Sequence, residues 1–417
     1  MTADVQAQRA RRFLFTSTAG SGHFHPVMPL ALALKAAGHE VAYAGAAAFR
    51  PAVEAAGLTF FPAGGDRNQD PEFQRLMAQL QTMPPGPASE IVIFSQVFWG
   101  VNTRLMVPDL VAIGRAWHPD MLIRESGEAG AVIAAEVLGV PHAEITPGAN
   151  LMGGVLFKQG AAAHLDPIRQ QWGLAPDPTL QALHRYLLLT HAPPTFATHD
   201  IGVPGAYPPT THFIRPEFYD RSGSETLPAW VAGLPAQPTV YVTLGTEANT
   251  MPGFYPRVLQ TLIAGLRDEP VNLIVTLGRD KDPADFGPQP ANVHIALYIP
   301  QTLLLPHCAL LVMHGGSNSL LAAIDAGLPM VLVPLIADQF INGAITRDLG
   351  LGQVLDLAQL TPDAVRDAAR EVLANPLYRQ NIRRLQNEMH ALPDLHHAVA
   401  LVEQVAAGPA AHPPALV

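Results

Sequence analysis

Residues 298–343, YIPQTLLLPHCALLVMHGGSNSLLAAIDAGLPMVLVPLIADQFING, constrain the fold of this chain more than any other stretch. ALLVM is a short apolar run of the kind that suits a strand buried on both faces, and it ends at His314. Gly315 and Gly316 follow, so the chain can turn sharply and bring its backbone against a ligand. Asn318 or Ser319 can cap a helix that LLAAIDAG carries to Gly327. A strand, a glycine turn and a helix N-terminus together make an anion site, because free N–H groups and the positive end of the helix dipole meet there. LPMVLVPL reads as a second buried strand, and Asp338-Gln339 stands just past its end, where open α/β sheets bind ligands.

The same plan opens the chain. RFLFTST is strand-like, AGSGHFHP is a glycine-rich turn, VMPLALALKAAG an apolar helix, and EVAYAGA a second strand. Alternation of this kind predicts a parallel, doubly wound α/β sheet. Gly20 and Gly22 begin a G-x-G, but His25 stands where a dinucleotide fingerprint needs its third glycine, and no acidic residue ends the second strand. Residues 91–117 are expected as one helix bearing Phe94, Phe98 and Trp99, either core or one wall of a pocket. HPDMLIRE is a strand ending at Glu125, and residues 151–200, with Met152, are expected to be helical. A Pro-, Gly- and Ser-rich passage precedes a second strand–glycine turn, TVYVTLGTEAN.

A formal net charge of −10 argues against nucleic acid or an anionic membrane surface as the main partner. A single cysteine, Cys308, permits no internal disulfide and fits a reducing cytosol, so a cytoplasmic protein is expected. The N-terminus shows no apolar secretory segment, and no run is long enough to predict a membrane span.

Three motifs resemble the donor signature of the family-1 nucleotide-sugar glycosyltransferases, which have the GT-B fold of two facing Rossmann-like domains. They are Tyr298-Ile299-Pro300-Gln301, then His314 to Ser319 (H-x-G-x-N-S), then Asp338-Gln339. The G-H-x-x-P around His23, followed by ALxLxxxGHEV, resembles the opening of the bacterial natural-product and macrolide members. The resemblance implies an N-terminal acceptor domain over residues 1–220, a linker over 221–238 and a donor domain over 239–392. Residues 393–417 would hold a helix crossing back to the first domain and a tail.

It further implies that His23 is the catalytic base and that the acidic residue at 125 orients it, here glutamate where the family usually has aspartate. Tyr298 would stack on the base, with Ile299 beside it, and Gln301 would help hold the nucleoside. His314, Gly316, Asn318, Ser319 and Thr246 would surround the diphosphate. Asp338 and Gln339 would hydrogen-bond the sugar. Phe94, Phe98, Trp99 and Met152 are candidates for an apolar acceptor wall. Each has a plainer alternative: caps for Asn318, Ser319 and Asp338, packing for Tyr298 and the aromatic cluster, a turn residue for Thr246.

The implied activity is inverting transfer of a sugar from a uridine- or thymidine-diphosphate donor to a small apolar acceptor. No cofactor is implied, and without a D-x-D motif in the donor stretch no metal is expected. Eight residues past the signature histidine, uridine-using members commonly carry a glutamate for the ribose; here that position is Ala322, which points to thymidine. A nucleotide-sugar epimerase of the same shape, or a catalytically silent partner subunit, are the alternatives.

Overall fold

A computed structural model of the chain describes residues 9–84, 87–148, 155–199, 207–220, 225–246 and 253–408, the side chains of 155–159 excepted. Met152 lies outside the described residues. Among the described residues, thirteen strands form two wholly parallel sheets. The first holds β1 (Arg12–Thr16), β2 (Glu40–Gly45), β3 (Thr59–Pro62), β4 (Met121–Glu125), β5 (His142–Thr146), β6 (Leu187–Thr190) and β7 (Thr211–Phe213), in the order 3-2-1-4-5-6-7. The second holds β8 (Thr239–Thr243), β9 (Asn272–Thr276), β10 (Val293–Ala296), β11 (Leu310–Met313), β12 (Met330–Leu332) and β13 (Gly352–Val354), in the order 10-9-8-11-12-13.

Each order reverses at one pair of strands, β1 with β4 and β8 with β11. At such a switch point the loops leaving two neighbouring strands run to opposite faces and leave a crevice between them. The register puts Thr16 beside Arg124 and Thr243 beside Met313. The loop after β1 and the C-terminal end of β4 therefore bring His23 and Glu125 to one place. The loops after β8 and β11 do the same for Thr246 and His314.

The strands are buried on both faces, so their apolar runs do not alternate; Phe13, Leu14 and Phe15 are all fully buried. Helix Leu395–Ala407 lies on the first sheet's helical layer, with Ala398 and Val402 in the cluster of Phe15, Leu34 and Leu187. His39 Nε2 stands 2.8 Å from the Glu403 carboxylate, and Arg11 donates to the Glu403 carbonyl at 2.7 Å. The last helix is thus tied to the first sheet by packing and by polar contacts. Among the described residues no helix is long and apolar enough to cross a membrane.

One local expectation fails and another holds with altered geometry. Residues 151–200 are not all helical, because Leu187–Thr190 is strand β6. LLLT is too short for its periodicity to separate a buried strand from a helix, and pairing with β5 decides it. The expected helix over 91–117 is helical throughout, but Val92–Asn102 has π geometry before α-helix Thr103–Trp117 resumes. Such i→i+5 stretches are rare and concentrate at functional sites.

Val402→Ala removes two buried methyl groups from the seam between the last helix and the first sheet. It should cost about 2 kcal/mol and lower the midpoint of urea unfolding followed by circular dichroism. An unchanged midpoint would mean that this helix is not docked in solution.

Candidate active site

The C-terminal ends of both sheets face one cleft of about 1330 Å³. His23, Glu125, Phe94 and Phe98 line it from the first half. Thr246, Tyr298, Ile299 and Gln301 line it from the second, with His314, Gly316, Asn318, Ser319, Asp338 and Gln339. Trp99 does not: it is 1% exposed, and its indole N–H donates to the Ser126 carbonyl at 3.3 Å. It belongs to the core under the cleft, where it props the turn after β4, and is not part of an acceptor wall.

His23 sits on the short helix Ser21–Phe24, which starts at Gly20 with φ 143°. Its Nδ1 lies 3.0 Å from Glu125 Oε2, at ion-pair distance but not aligned as a hydrogen bond. Contacts of this kind commonly tighten only once a substrate is bound. The imidazole edge packs against Phe98, ring centres 5.2 Å apart. Glu125 is 2% exposed, and its other oxygen accepts from Ser126 Oγ and Gly127 N, both at 2.8 Å. The turn that aims it is held from behind by Arg124, which is fully buried. That guanidinium pairs with Glu144 and donates to the carbonyls of Glu125, Ser126 and Glu128. A buried charge is tolerable only with such partners.

In the second half, helix Ser317–Asp325 begins at Gly316, and no side chain caps it. Both expected caps are spent elsewhere. Ser319 Oγ accepts from Gln301 Nε2 at 3.1 Å, and Asn318 Nδ2 donates across the cleft to the Gly22 carbonyl at 3.0 Å. The first N–H groups of the helix are left for a ligand. His314 stands beside this end. A Cβ on Gly316 would come within 2.6 Å of its Nε2, and one on Gly245 within 2.9 Å, so both turns need glycine.

Asp338 precedes helix Gln339–Asp348 but makes no cap bond with its side chain. Its carboxylate accepts instead from Ser317 Oγ at 2.6 Å and Asn342 Nδ2 at 3.2 Å. Burial pushes that carboxyl above the ordinary range, opposed by those two donors and by the nearby charge of His23.

Tyr298 does not offer an open ring face on both sides. The Arg279 guanidinium lies 3.8 Å from the ring centre, and the phenol O–H donates to the Asp220 carbonyl. Burial, then the charge of Asp220, pushes the phenol up to about 12. Asp220 also binds Thr302 through its carboxylate, accepting from N at 2.7 Å and Oγ1 at 2.8 Å. Neither Asp220 nor Arg279 was found from sequence. A lone acid at the last residue before the expected linker, and a lone arginine in a loop, carry no local signal.

Residues 32–245 match the family described as erythromycin biosynthesis protein CIII-like, N-terminal domain, and residues 260–405 match its C-terminal domain. The chain belongs to the EryCIII-like glycosyltransferases. The 10-deoxymethynolide desosaminyltransferase of Streptomyces venezuelae is 27% identical over 95% of this chain and 97% of its own length. The aklavinone 7-beta-L-rhodosaminyltransferase of Streptomyces galilaeus is 28% identical over 95% of this chain and 96% of its own. Among solved structures, the glycosyltransferase VinC in complex with DTDP superposes with a TM-score of 0.76 at 28% identity, over 95% of this chain and 99% of that one. The glycosyltransferase SnogD from Streptomyces nogalater gives 0.76 at 25%, over 95% and 100%. The two facing Rossmann-like domains are those of the GT-B fold.

Basic side chains are scarce in this EryCIII-like cleft. Among the described residues that line it, Arg67 is the sole arginine, and no lysine is present. Burial pushes His314 and His191 down to about 4, so both rings are neutral at physiological pH. In the unfolded chain the same rings take up a proton as pH falls through 6.5. Each therefore leaves stability untouched above that value and penalises the folded state progressively as pH falls towards about 4. Long-range ¹H–¹⁵N spectra should show His314 in a neutral tautomer from about pH 8 down to about pH 5. A midpoint near 6.5 would show that the ring is solvated.

Proposed function

We propose that this glycosyltransferase moves a sugar from a nucleoside diphosphate to a hydroxyl of a small apolar acceptor, with inversion at the anomeric carbon. The observation that carries the reading is the placement of the His23–Glu125 pair across one cleft from the uncapped helix end at Gly316. His23 takes the acceptor's proton as its oxygen attacks. Glu125, fixed by Ser126 and Gly127, orients the imidazole and offsets the charge it gains. The diphosphate leaves with growing negative charge, which the N–H groups after Gly316 receive together with neutral donation from His314 and Thr246. Asp338 faces the sugar. Phe94 and Phe98, next to His23, supply the apolar wall for the acceptor. Stacking of a nucleobase on the ring face that Arg279 covers requires that side chain to lift from Tyr298.

The names of the relatives support a natural-product acceptor of macrolide or anthracycline type and a deoxysugar donor. A donor incubated without acceptor should remain unconverted, which separates transfer from epimerisation.

His23→Ala should lower transfer by about 10²–10⁴ while leaving nucleotide binding within about twofold, since the base touches the acceptor side. Near-normal turnover in that variant would remove His23 from the mechanism.

The nucleotide is proposed to be thymidine diphosphate. VinC and SsfS6, at 28% and 25% identity, are described in complex with it. In this chain Ala322 lines the cleft one helical turn past Ser319 and offers a ribose 2′-hydroxyl no acceptor. A hydroxyl buried without a partner costs roughly 1–3 kcal/mol. Thymidine diphosphate should accordingly compete at about tenfold lower concentration than uridine diphosphate. Equal or stronger inhibition by uridine diphosphate would overturn the assignment.

A further inference from the structure

Gln339 follows Asp338 directly, and its side chain points back under the loop that carries Asp338. It is 5% exposed. Its Oε1 accepts from Leu335 N at 2.8 Å and from Ile336 N at 3.0 Å. Since both partners are backbone N–H donors, the accepting atom has to be the amide oxygen. The next residue of that loop, Ala337, stands at φ 53°, a left-handed conformation that costs a non-glycine residue about 1 kcal/mol or more. The two bonds to Gln339 hold the residues that lead into Ala337 and Asp338. Three residues after Gln339, Asn342 is 1% exposed. Its Nδ2 lies 2.9 Å from the Gly315 carbonyl, 3.1 Å from Ser317 Oγ and 3.2 Å from Asp338 Oδ2.

We infer that Gln339 and Asn342 are positioning residues: one turn of helix Gln339–Asp348 clamps the strained loop and ties Asp338 to the glycine turn at Gly315. This rests on the reading that Asp338 faces the donor sugar. Gln339 acts through the backbone of 335–337, and its oxygen is not available to a sugar hydroxyl. Asn342 bonds both the turn before the uncapped helix and the carboxylate, so it keeps the diphosphate and sugar subsites in one register.

The clamp needs an acceptor at Gln339 and makes no use of the amide N–H₂. Gln339→Glu keeps the acceptor and removes that donor, whereas Gln339→Leu removes both. Calorimetry with thymidine-diphosphate-glucose and with thymidine diphosphate alone separates the roles. Gln339→Leu should bind the nucleotide sugar about tenfold or more weaker, with the bare nucleotide within about threefold. Gln339→Glu, whose carboxylate can accept from the same two N–H groups, should bind the nucleotide sugar clearly more tightly than Gln339→Leu does.

If Gln339→Glu loses the nucleotide sugar as badly as Gln339→Leu, the amide N–H₂ binds the sugar and the clamp is wrong. If Gln339→Leu binds like the parent, the clamp has no effect and the inference is also wrong. Asn342→Asp places a second carboxylate against Asp338 and should weaken both ligands; loss of neither would remove Asn342 from the device. If the parent protein binds neither ligand, the fault lies with the proposed donor site itself, not with the clamp.

Discussion

The cleft depends on a helix end that no side chain closes. Helices normally satisfy their first N–H groups with a serine, threonine, aspartate or asparagine at the start. Helix Ser317–Asp325 has glycine there, although Asn318 and Ser319 are next in line. Each is drawn off by a different neighbour, one to Gly22 in the first half and one to Gln301. The helix end is thereby fixed in position without being satisfied. That is the condition for an anion site in a cleft with hardly any basic side chains: partial charges on a rigid backbone replace formal charges on mobile ones.

Two parallel sheets with the same plan make this arrangement repeatable. In each, the strand order reverses once, and the chain at the reversal carries groups that line the cleft. Arg124 shows how a side chain of the cleft is held from behind. Its guanidinium, out of water, collects the carbonyls of the turn that presents Glu125. Gln339 plays the corresponding part in the other half with an oxygen that collects two N–H groups. One turn is gathered by its acceptors and the other by its donors.

The strand–glycine–helix plan was legible in the sequence because glycines, apolar runs and helix stops are local signals. That His23, His314 and Asp338 come to one cleft was legible because each follows such a run. What escaped depends on approach through space. Trp99 looked like pocket lining because Phe94 and Phe98 are near it in sequence, yet the π stretch turns it into the core. Asn318 and Ser319 read as caps because no sequence rule knows that Gly22 or Gln301 will arrive to claim them. Asp220 and Arg279 lie 78 and 19 residues from Tyr298 and share with it only a place in the fold. Strand β6 was hidden by brevity, since four apolar residues have no period.

The two halves touch at the cleft through main-chain atoms as well as side chains. Asn318 binds the carbonyl of Gly22, and the α-carbon of Gly148 lies so close to Ser317 that a methyl group there would meet its Oγ at 2.3 Å. A contact made to a carbonyl or to a bare α-carbon is indifferent to most substitutions around it. It asks only for backbone path and a glycine. The seam therefore fixes backbone path more than side-chain identity: the surroundings of Gly22 and Gly148 can drift in sequence, and the two halves can diverge separately, so long as those two approaches are kept.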